Sequence, residues 1–290
     1  MPRVAVLMAA YNGVPWVEEQ VKSILVQDNV DVTIFVSVDR SNDGTEVLIE
    51  QLSDLERRIV LLPYGSQYGS AAMNFLHIIR SVDCSEYDYV ALADQDDIWF
   101  SDKLCAAISD LKATGSVGYS SDVLAFWPNG KRALLKKSFP QASYDHFFES
   151  PGPGCTFVLC SSLLEEFRYD FSSFENYASQ LTTNHDWFLY AYARCKGYKW
   201  FISDGPGMLY RQHERNQVGI NSGLGAYADR VRLVRTKWYR KQVDLIVSSF
   251  KPEFRSMILS KRWLLTNFYS LRRRPRDKAA LLLFVLLGFF

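Results

Sequence analysis

The sequence lacks an apolar run long enough to cross a membrane as a helix. Such a helix needs about 20 consecutive apolar residues, and the apolar stretch at residues 279–290 is shorter than that. Residues 4–10 are also apolar, but they lead into a turn and lack the basic n-region of a secretory signal. We therefore expect neither a transmembrane helix nor a signal peptide.

Cysteine is scarce and shows no pairing pattern. The five cysteines are odd in number and lack the paired spacing of a metal site: Cys84, Cys105, Cys155, Cys160 and Cys195. This usage predicts free thiols in a reducing cytosol. Internal repeats and low-complexity linkers are also missing. Because 48% of the 290 residues are hydrophobic and 14% are aromatic, we expect one large core, or one core with an appendage, rather than disorder.

Charge is nearly balanced overall but unevenly distributed. The formal net charge is +1, which by itself indicates no partner and gives no reason to expect nucleic acid. Between residues 230 and 278, however, lie 15 of the 33 Lys and Arg but only three of the 32 Asp and Glu. An acidic body with a basic tail suggests that the tail meets an anionic surface.

Short apolar runs alternate with helical patterns in the first 115 residues. This order is typical of a doubly wound, mostly parallel, Rossmann-like sheet flanked by helices. Ligands bind such sheets at the carboxyl ends of the strands. The predicted strands are residues 4–8, 32–38, 59–62 and 89–93, and the predicted helices are 16–27, 45–55 and 70–80.

The alternation becomes looser after residue 115. There we predict strands at residues 117–127, 156–160, 200–203 and 208–212, and a helix at 186–195. From about residue 224 the pattern becomes helical, basic and rich in aromatic residues. We therefore divide the chain into a catalytic domain, 1–223, and a helical carboxyl-terminal region, 224–290. The first comprises a nucleotide-binding half, 1–115, and an acceptor half, 116–223.

Three carboxylates crowd the end of the fourth predicted strand. They belong to the segment Asp94-Gln95-Asp96-Asp97-Ile98-Trp99. Such carboxylates repel one another unless positive charge lies among them. A divalent cation such as Mg²⁺ or Mn²⁺, shared with substrate phosphates, would relieve this repulsion. The alternative is a solvated acidic turn, or a cap from Asp97 or Ser101 on a helix that begins at Lys103.

A second polar segment follows the second predicted strand and begins at Asp39. A carboxylate at a strand end can accept a hydrogen bond from a base or a ribose hydroxyl. Taken alone, the segment favours a turn in which Asn42 or Asp43 caps the next helix. Together with Asn12 and the aspartate cluster, it favours a nucleotide site.

These motifs resemble the family-two glycosyltransferases of GT-A fold. The resemblance covers residues 3–220. It is carried by five segments that occur in the same order and with the same spacing as in the family. The first three are residues 8–13 (MAAYNG), 38–45 (VDRSNDGT) and 93–99 (ADQDDIW), and two more, 184–187 (NHDW) and 210–219 (YRQHERNQVG), resemble the bacterial rhamnosyltransferase branch. Arg40 departs from the glycine that such proteins often carry after the aspartate, so the turn there is left open.

The resemblance implies a role for each segment. Asp94 and Asp96 would form the Asp-x-Asp motif that holds the cation, with Asp96 the direct ligand. The loop with Gly154 would lie on the acceptor side. The donor nucleotide and its sugar would contact Ala10, Tyr11, Asn12, Asp39, Asp94, Gln95 and Asp97.

The polar segment after residue 210 offers further contacts for a diphosphate. His213 could complete the metal shell or touch the diphosphate, and Arg211 or Arg215 could pair with a phosphate. A lone histidine is more often structural, and that interpretation stays open.

Asp186 resembles the catalytic base of the family. Inverting transfer is a single displacement at the anomeric carbon and needs a carboxylate near the acceptor hydroxyl. Asp186 also opens an apolar helix, and without the resemblance we would favour a helix N-cap.

The predicted function is therefore inverting transfer of a sugar from a nucleotide donor. We expect L-rhamnose from dTDP-L-rhamnose, passed to a lipid-linked, lipopolysaccharide or other cell-surface saccharide. The alternatives are a UDP-hexose donor, a nucleotidyltransferase or a non-catalytic binding protein. A nucleotidyltransferase would normally have a glycine-rich, basic loop after the first strand, and residues 8–13 contain no Lys or Arg.

The basic tail leads to a prediction about location. Arg272, Arg273, Arg274 and Arg276 precede the apolar residues 279–290. We expect this region to hold a cytoplasmic enzyme on the inner face of the cytoplasmic membrane. The alternative is a helical cap that packs on the catalytic domain.

Overall fold

The computed structural model describes residues 1–180, 185–213 and 236–290. Its strands are β1 (Arg3–Ala10), β2 (Asp31–Val38), β3 (Ile59–Leu61), β4 (Tyr89–Asp94), β5 (Ile98–Trp99), β6 (Gly118–Ser121), β7 (Val123–Phe126), β8 (Arg132–Leu135), β9 (Val158–Cys160), β10 (Trp200–Ser203) and β11 (Met208–Arg211). Its helices are α1 (Val17–Leu25), α2 (Thr45–Leu55), α3 (Ala71–Ser81), α4 (Lys103–Thr114), α5 (Ser161–Ala178), α6 (His185–Cys195), α7 (Trp238–Phe250), α8 (Arg255–Ile258), α9 (Lys261–Asn267) and α10 (Pro275–Leu286).

The central sheet is mostly parallel, as the alternation of strands and helices predicted. Its strand order is β10–β6–β9–β4–β1–β2–β3. Among the strands assigned in the described residues, β9 alone runs antiparallel to its neighbours in this sheet, β4 and β6. A smaller sheet in the order β5–β11–β7–β8 lies beyond the ends of the main strands. The predicted α/β class is therefore confirmed.

Side chains of β1 alternate between two apolar cores. Ala5, Leu7 and Ala9 belong to one core, which includes α3, α5, α6 and α7. Val4, Val6 and Met8 belong to the other, which includes α1 and α4. Because helices cover both faces of the sheet, the strand is a continuous apolar run rather than an alternating one.

One predicted strand, residues 117–127, is wrong because it breaks at Asp122. Residues before Asp122 form β6 in the main sheet, and residues after it form β7 in the small sheet. The buried carboxylate of Asp122 accepts hydrogen bonds from the backbone N–H groups of Lys137 and Ser138 and from the hydroxyl of Ser138. A buried charge that must find partners outside the sheet ends the strand there.

Helix α5 and strands β5 and β8 were not predicted. Helix α5 is 18 residues long and carries apolar side chains three or four positions apart: Leu163, Leu164, Phe167, Phe171, Phe174 and Ala178. This spacing was the available signal. The other two strands are short, and both lie in the small sheet.

The carboxyl-terminal helices pack on the catalytic part of the chain. Phe250 of α7 contacts Phe174 of α5 and Phe188 of α6. At the end of the chain, Phe290 lies against Phe148 and Tyr239. These contacts agree with the alternative prediction for this region, a helical cap that packs on the catalytic domain. The predicted boundary between residues 223 and 224 falls outside the described residues, so the division into domains stays a prediction.

Two of the tail arginines point inward, which differs from the membrane-facing arrangement predicted for them. Arg273 is 5% exposed and pairs with buried Asp145 at 3.0 Å. Arg272 pairs with Glu149 and Asp277. Among the residues that the structure describes, no helix has the length and apolar character needed to pass through a bilayer.

Candidate active site

Three neighbouring strands bring the predicted donor residues to one edge of the sheet. In the order β4–β1–β2, Ala9 is in register with Asp94 and Ala10 with Val38. The segments that follow these strands therefore start side by side. This edge collects the predicted residues Ala10, Tyr11, Asn12, Asp39, Asp94, Gln95, Asp96 and Asp97.

Gln95 ties the first loop to the aspartate segment. Its amide accepts a hydrogen bond from the backbone N–H of Tyr11 and donates one to the carbonyl of the same residue, both at 2.8 Å. Gly13 lies so close that a Cβ there would meet Oε1 of Gln95 at 2.1 Å. Gln95 thus positions the loop in this structure, whereas the sequence predicted a contact with the donor.

Asn12 and Asp39 also form hydrogen bonds within the loops. Asn12 has a φ of 48°, and its side-chain oxygen accepts from the backbone N–H of Asn42. Asp39 is 6% exposed and accepts from the backbone N–H groups of Arg40, Tyr68 and Gly69. The backbone bonds hold this carboxylate in one orientation at the strand end, where a nucleotide would approach.

Tyr11 is an exposed aromatic residue at this edge. Its side chain is 54% exposed, although its backbone is clamped at both N–H and C=O. A fixed backbone with an open ring gives a flat surface on which a base can stack.

Asp96 is paired with His213 across the site. Nε2 of His213 lies 2.8 Å from Oδ2 of Asp96. The imidazole ring stacks on Trp16, with ring centroids 4.0 Å apart. The structure thus brings His213 to Asp96, and its place in a metal shell stays a prediction.

Asp94 and Asp97 form a second group with Cys155. One potential ligand atom from each lies within 4.8 Å of the other two. Burial and the charge of Asp96 raise the pKa of Asp94 to about 7 and hold the pKa of Asp97 well above its usual range. Oδ2 of Asp97 is buried without a hydrogen-bond partner in the described structure. Repelling carboxylates and an unpaired buried oxygen suit a divalent, oxygen-preferring cation.

Lys103 lies behind this cluster and was not among the predicted site residues. Its side chain is 3% exposed, and Nζ lies 3.5 Å from the ring centroid of Trp99. Burial lowers the pKa of Lys103 to about 7, although Cys155 and Asp97 oppose that shift. Gly207 packs against the aliphatic part of this lysine. A Cβ built on Gly207 would lie 2.9 Å from Cγ of Lys103. A lysine at the start of a helix is ordinarily exposed, so no sequence pattern predicted that Lys103 is buried behind the carboxylates.

Arg211 is held among acidic groups. Its backbone N–H donates to Oδ1 of Asp97, and its Nε donates to the carbonyl of Asp96. Its guanidinium also pairs with Glu19 and lies over the ring of Phe126. The structure thus ties Arg211 to the aspartate segment, and a phosphate contact stays a prediction. Arg215, the other predicted phosphate ligand, lies outside the described residues.

Asp186 lies in the first turn of α6, beside the acceptor-side loop. Its Oδ2 accepts from the hydroxyl of Ser150 at 3.0 Å, and its Oδ1 accepts from the next backbone N–H at 2.7 Å. A Cβ at Gly154 would lie 3.3 Å from Cβ of Asp186. After burial and the charge of Asp96, the charge of Asp186 also acts to raise the pKa of Asp94, so the two carboxylates are near enough to repel each other. Its described bonds run to Ser150 and Trp187, not to a backbone N–H further along the helix as an N-cap requires.

A model of glycosyl transferase family 2 matches residues 5–168, more than half of the chain. The chain is 42% identical over 290 residues to the dTDP-rhamnosyl transferase RfbG of Shigella flexneri, covering 98% of this chain and all of that one. It is 27% identical over 177 residues to the UDP-Glc:alpha-D-GlcNAc-diphosphoundecaprenol beta-1,3-glucosyltransferase WfgD of Escherichia coli, covering 60% of this chain and 66% of that one.

Solved structures share the fold. TarS 1–349 of S. aureus in complex with UDP superposes with a TM-score of 0.59 at 14% identity, over 92% of this chain and 72% of that one. The mannosyltransferase PcManGT of Pyrobaculum calidifontis in complex with GDP-Man and Mn²⁺ superposes with a TM-score of 0.57 at 17% identity, over 99% of this chain and 76% of that one. The fold is therefore the predicted GT-A fold, and the chain belongs to glycosyl transferase family 2.

Proposed function

We propose that this enzyme transfers L-rhamnose from dTDP-L-rhamnose to a saccharide acceptor with inversion at the anomeric carbon. The observation that carries the donor assignment is the 42% identity to a dTDP-rhamnosyl transferase over 98% of this chain and all of that one. The site supports transfer in general, because the carboxylate-rich edge proposed to bind a cation adjoins, through Gly154 and Cys155, the separate carboxylate of Asp186.

The cation side of the reaction is assigned to three residues. Asp94 and Asp96 would hold Mg²⁺ or Mn²⁺, and His213, 2.8 Å from Asp96, would complete or support the shell. When bound, the cation neutralises charge on the departing diphosphate. Tyr11, Asn12 and Asp39 would contact the nucleotide from the loops after β1 and β2.

The acceptor side is assigned to Asp186. An alcohol is a weak nucleophile at neutral pH, so a positioned carboxylate that takes its proton assists the displacement. The acceptor oxygen bonds to the anomeric carbon while the bond from that carbon to the diphosphate oxygen breaks. The electron pair leaves with the nucleoside diphosphate, and the proton goes to Asp186. The Ser150 hydroxyl fixes the orientation of this carboxylate.

A screen of nucleotide sugars tests the donor. The purified enzyme is incubated with Mn²⁺, a saccharide acceptor and one donor at a time, and released nucleoside diphosphate is measured. We expect dTDP-L-rhamnose to exceed UDP-glucose and UDP-galactose by at least tenfold in kcat/KM. Equal or better turnover of a UDP-hexose would reject the rhamnose assignment but leave the assignment of glycosyltransferase activity intact.

We also propose that the acceptor is lipid-linked and that the enzyme works on the inner face of the cytoplasmic membrane. The support is the far end of α10 and the residues after it, where Leu283, Leu286, Leu287 and Phe289 are each 45–59% exposed. Exposed Arg276 and half-buried Lys278 lie on the same helix. Apolar side chains with basic neighbours suit an anionic bilayer surface.

Substitution of the exposed leucines tests this contact without cutting the buried tail. Leu283→Ser combined with Leu286→Ser should weaken binding to vesicles that contain anionic lipid, measured by flotation. The control, Leu55→Ser, changes a leucine that is 86% exposed on α2. Unchanged flotation of the double variant would reject the membrane surface assigned to α10.

A further inference from the structure

A basic cavity of about 320 Å³ lies between the chain after β8, the loop before Ser150 and the start of α10. Five cationic side chains line it, against the two acidic side chains of Glu149 and Asp277. The cationic residues are Lys136, Lys137, Arg272, Arg273 and Arg274. Aromatic rings, including those of Trp187 and Tyr239, form part of the wall.

In the described part of the chain, acidic residues in the cavity wall or behind it pair with two of these cations, Arg272 and Arg273. Arg272 lies 3.4 Å from Glu149 and 3.6 Å from Asp277. Arg273 pairs with Asp145 at 3.0 Å. Within residues 1–180, 185–213 and 236–290, the side chains of Lys136, Lys137 and Arg274 have neither an ion pair nor a hydrogen bond. The cavity therefore has an excess of unpaired positive charge.

Lys137 is the unpaired cation held most firmly. The carboxylate of Asp122 accepts a hydrogen bond from its backbone N–H, so the position of the residue is fixed. Burial, and then the charge of Arg273, lower the pKa of its ammonium group. A half-buried ammonium beside an arginine is costly unless an anion joins it.

The cavity adjoins the carboxylate assigned as the base. Ser150 lines the cavity, and its hydroxyl donates to Oδ2 of Asp186. Trp187, the residue after Asp186, lines the same cavity. Asp186 is also among the charges that act on Lys137. If an anionic group is bound in this cavity, the parts of the same ligand attached to that group would lie next to Asp186.

We propose that this cavity binds the phosphate or diphosphate group of a lipid-linked saccharide acceptor. Lysine ammonium groups bind phosphate oxygens as point charges, and arginine adds paired N–H donors. The anionic group would sit against Lys137 and Arg274 while the acceptor sugar reaches Asp186. This assignment rests on the proposed transferase function and adds a second anion site, separate from the cation edge that serves the donor.

Two matched acceptors test the proposal. One is the saccharide on a lipid diphosphate, and the other is the same saccharide on a neutral alkyl chain, both in detergent. Lys137→Gln and Arg274→Gln should each raise KM about tenfold for the diphosphate acceptor and leave KM for the neutral acceptor unchanged. The control, Lys112→Gln, alters an exposed lysine on α4 and should change neither. Equal effects on both acceptors, or none, would overturn the proposal.

A binding measurement separates this proposal from the transferase assignment. Inorganic pyrophosphate is titrated calorimetrically into the protein in EDTA, which removes any metal. We expect the wild-type protein to bind and the Lys137→Gln, Arg274→Gln double variant to lose at least tenfold in affinity. Unchanged affinity would overturn the cavity assignment even if rhamnosyl transfer is observed. If the wild-type protein binds but no donor is turned over, the transferase assignment fails and the anion site stands.

A third arm distinguishes the acceptor from membrane phospholipid. Vesicles containing phosphatidylglycerol are mixed with the same double variant, and bound protein is measured by flotation. We expect binding close to that of the wild type, because the cavity serves a diphosphate beside Asp186. Weaker flotation with an unchanged KM for the diphosphate acceptor would assign the cavity to lipid headgroups and reject the proposal.

Discussion

Nε2 of His213 lies 2.8 Å from Oδ2 of Asp96, although 117 positions separate the two residues in the chain. The contact joins the aspartate segment after β4 to the polar segment after β11. His213 is further fixed by its stack on Trp16, which precedes α1. Three parts of the chain therefore meet at the residue assigned as the direct ligand of the cation.

Replacement of Asp96 by asparagine should remove the cation and most of the turnover. The side chain keeps its size but loses the charge that a hard divalent cation requires. We expect the Kd for Mn²⁺, measured by calorimetry, to rise at least tenfold. Full activity of the wild-type enzyme in excess EDTA would contradict a metal-dependent mechanism, whatever the variant does.

Asp186→Asn separates a catalytic base from a carboxylate that only holds the Ser150 loop against α6. If Asp186 takes the acceptor proton, turnover should fall by about 10²–10⁴-fold with saturating substrates. Melting temperature and donor affinity should stay near wild type, since Asn has nearly the same size and its side-chain oxygen can still accept a hydrogen bond from Ser150 or Trp187. The measurement is kcat with both substrates saturating, and a near-normal value would remove Asp186 from the mechanism.

Gln95→Ala tests the clamp on the first loop. Two hydrogen bonds to the backbone of Tyr11 are lost, each worth about 1 kcal/mol. We expect KM for the donor to rise about fivefold or more, with a smaller change in kcat, because the loop that carries Tyr11 is released. Gln51→Ala on the exposed face of α2 is the control. A donor KM equal to that of the control would show that the loop holds its position without Gln95.

The arrangement of the donor edge was predictable from local patterns. Continuous apolar runs separated by helical segments indicated a parallel sheet, and the carboxyl ends of neighbouring strands must then meet. Asp39, Asp94 and Asp96 fall there for that reason. The family resemblance assigned Gln95 to the donor, whereas its amide binds the backbone of Tyr11 in the structure, a 2.8 Å contact across 84 positions that no local pattern reports.

Other parts of the site depend on contacts that no local pattern reports. Lys103 starts α4 and is buried with Trp99 and Gly207 packed against it. The basic tail predicted a membrane anchor, yet Arg273 is drawn inward by Asp145, 128 positions earlier. An arginine in a basic run looks the same in sequence whether it meets lipid or a buried carboxylate.

Arg273→Met should destabilise the fold. Asp145 is fully buried, and without Arg273 its partners among the described residues would be the hydroxyl of Tyr190 and longer contacts to Arg194 and His146. Removing one partner of a buried ion pair costs about 3–5 kcal/mol. The free energy of unfolding in urea measures this cost. Arg276→Met is the matched control, because its pair with Asp277 is exposed and should contribute about 0–1 kcal/mol. Equal losses in the two variants would mean that the buried pair stabilises nothing.

His146 should make the protein less stable in mild acid. Burial lowers its pKa to about 3, and the charges of Arg194 and Lys251 act in the same direction. Nδ1 lies 3.9 Å from a carboxylate oxygen of Asp145, but that carboxylate is already bound by Arg273. The unfolded chain takes up a proton near pH 6.5, whereas the folded chain does so only near pH 3. The stability that depends on neutral His146 is therefore fully present above pH 6.5, and this contribution is lost progressively as the pH falls toward 3.

His146→Gln should flatten this pH dependence. Because one pKa unit corresponds to 1.36 kcal/mol, the histidine should account for about 2 kcal/mol of the stability lost between pH 6.5 and pH 5. The free energy of unfolding in urea is measured at both pH values for each protein. His77→Gln serves as control, because His77 is less buried and its pKa is lowered to a smaller extent. If His146→Gln loses as much stability as the wild type between the two pH values, His146 is not the group that titrates.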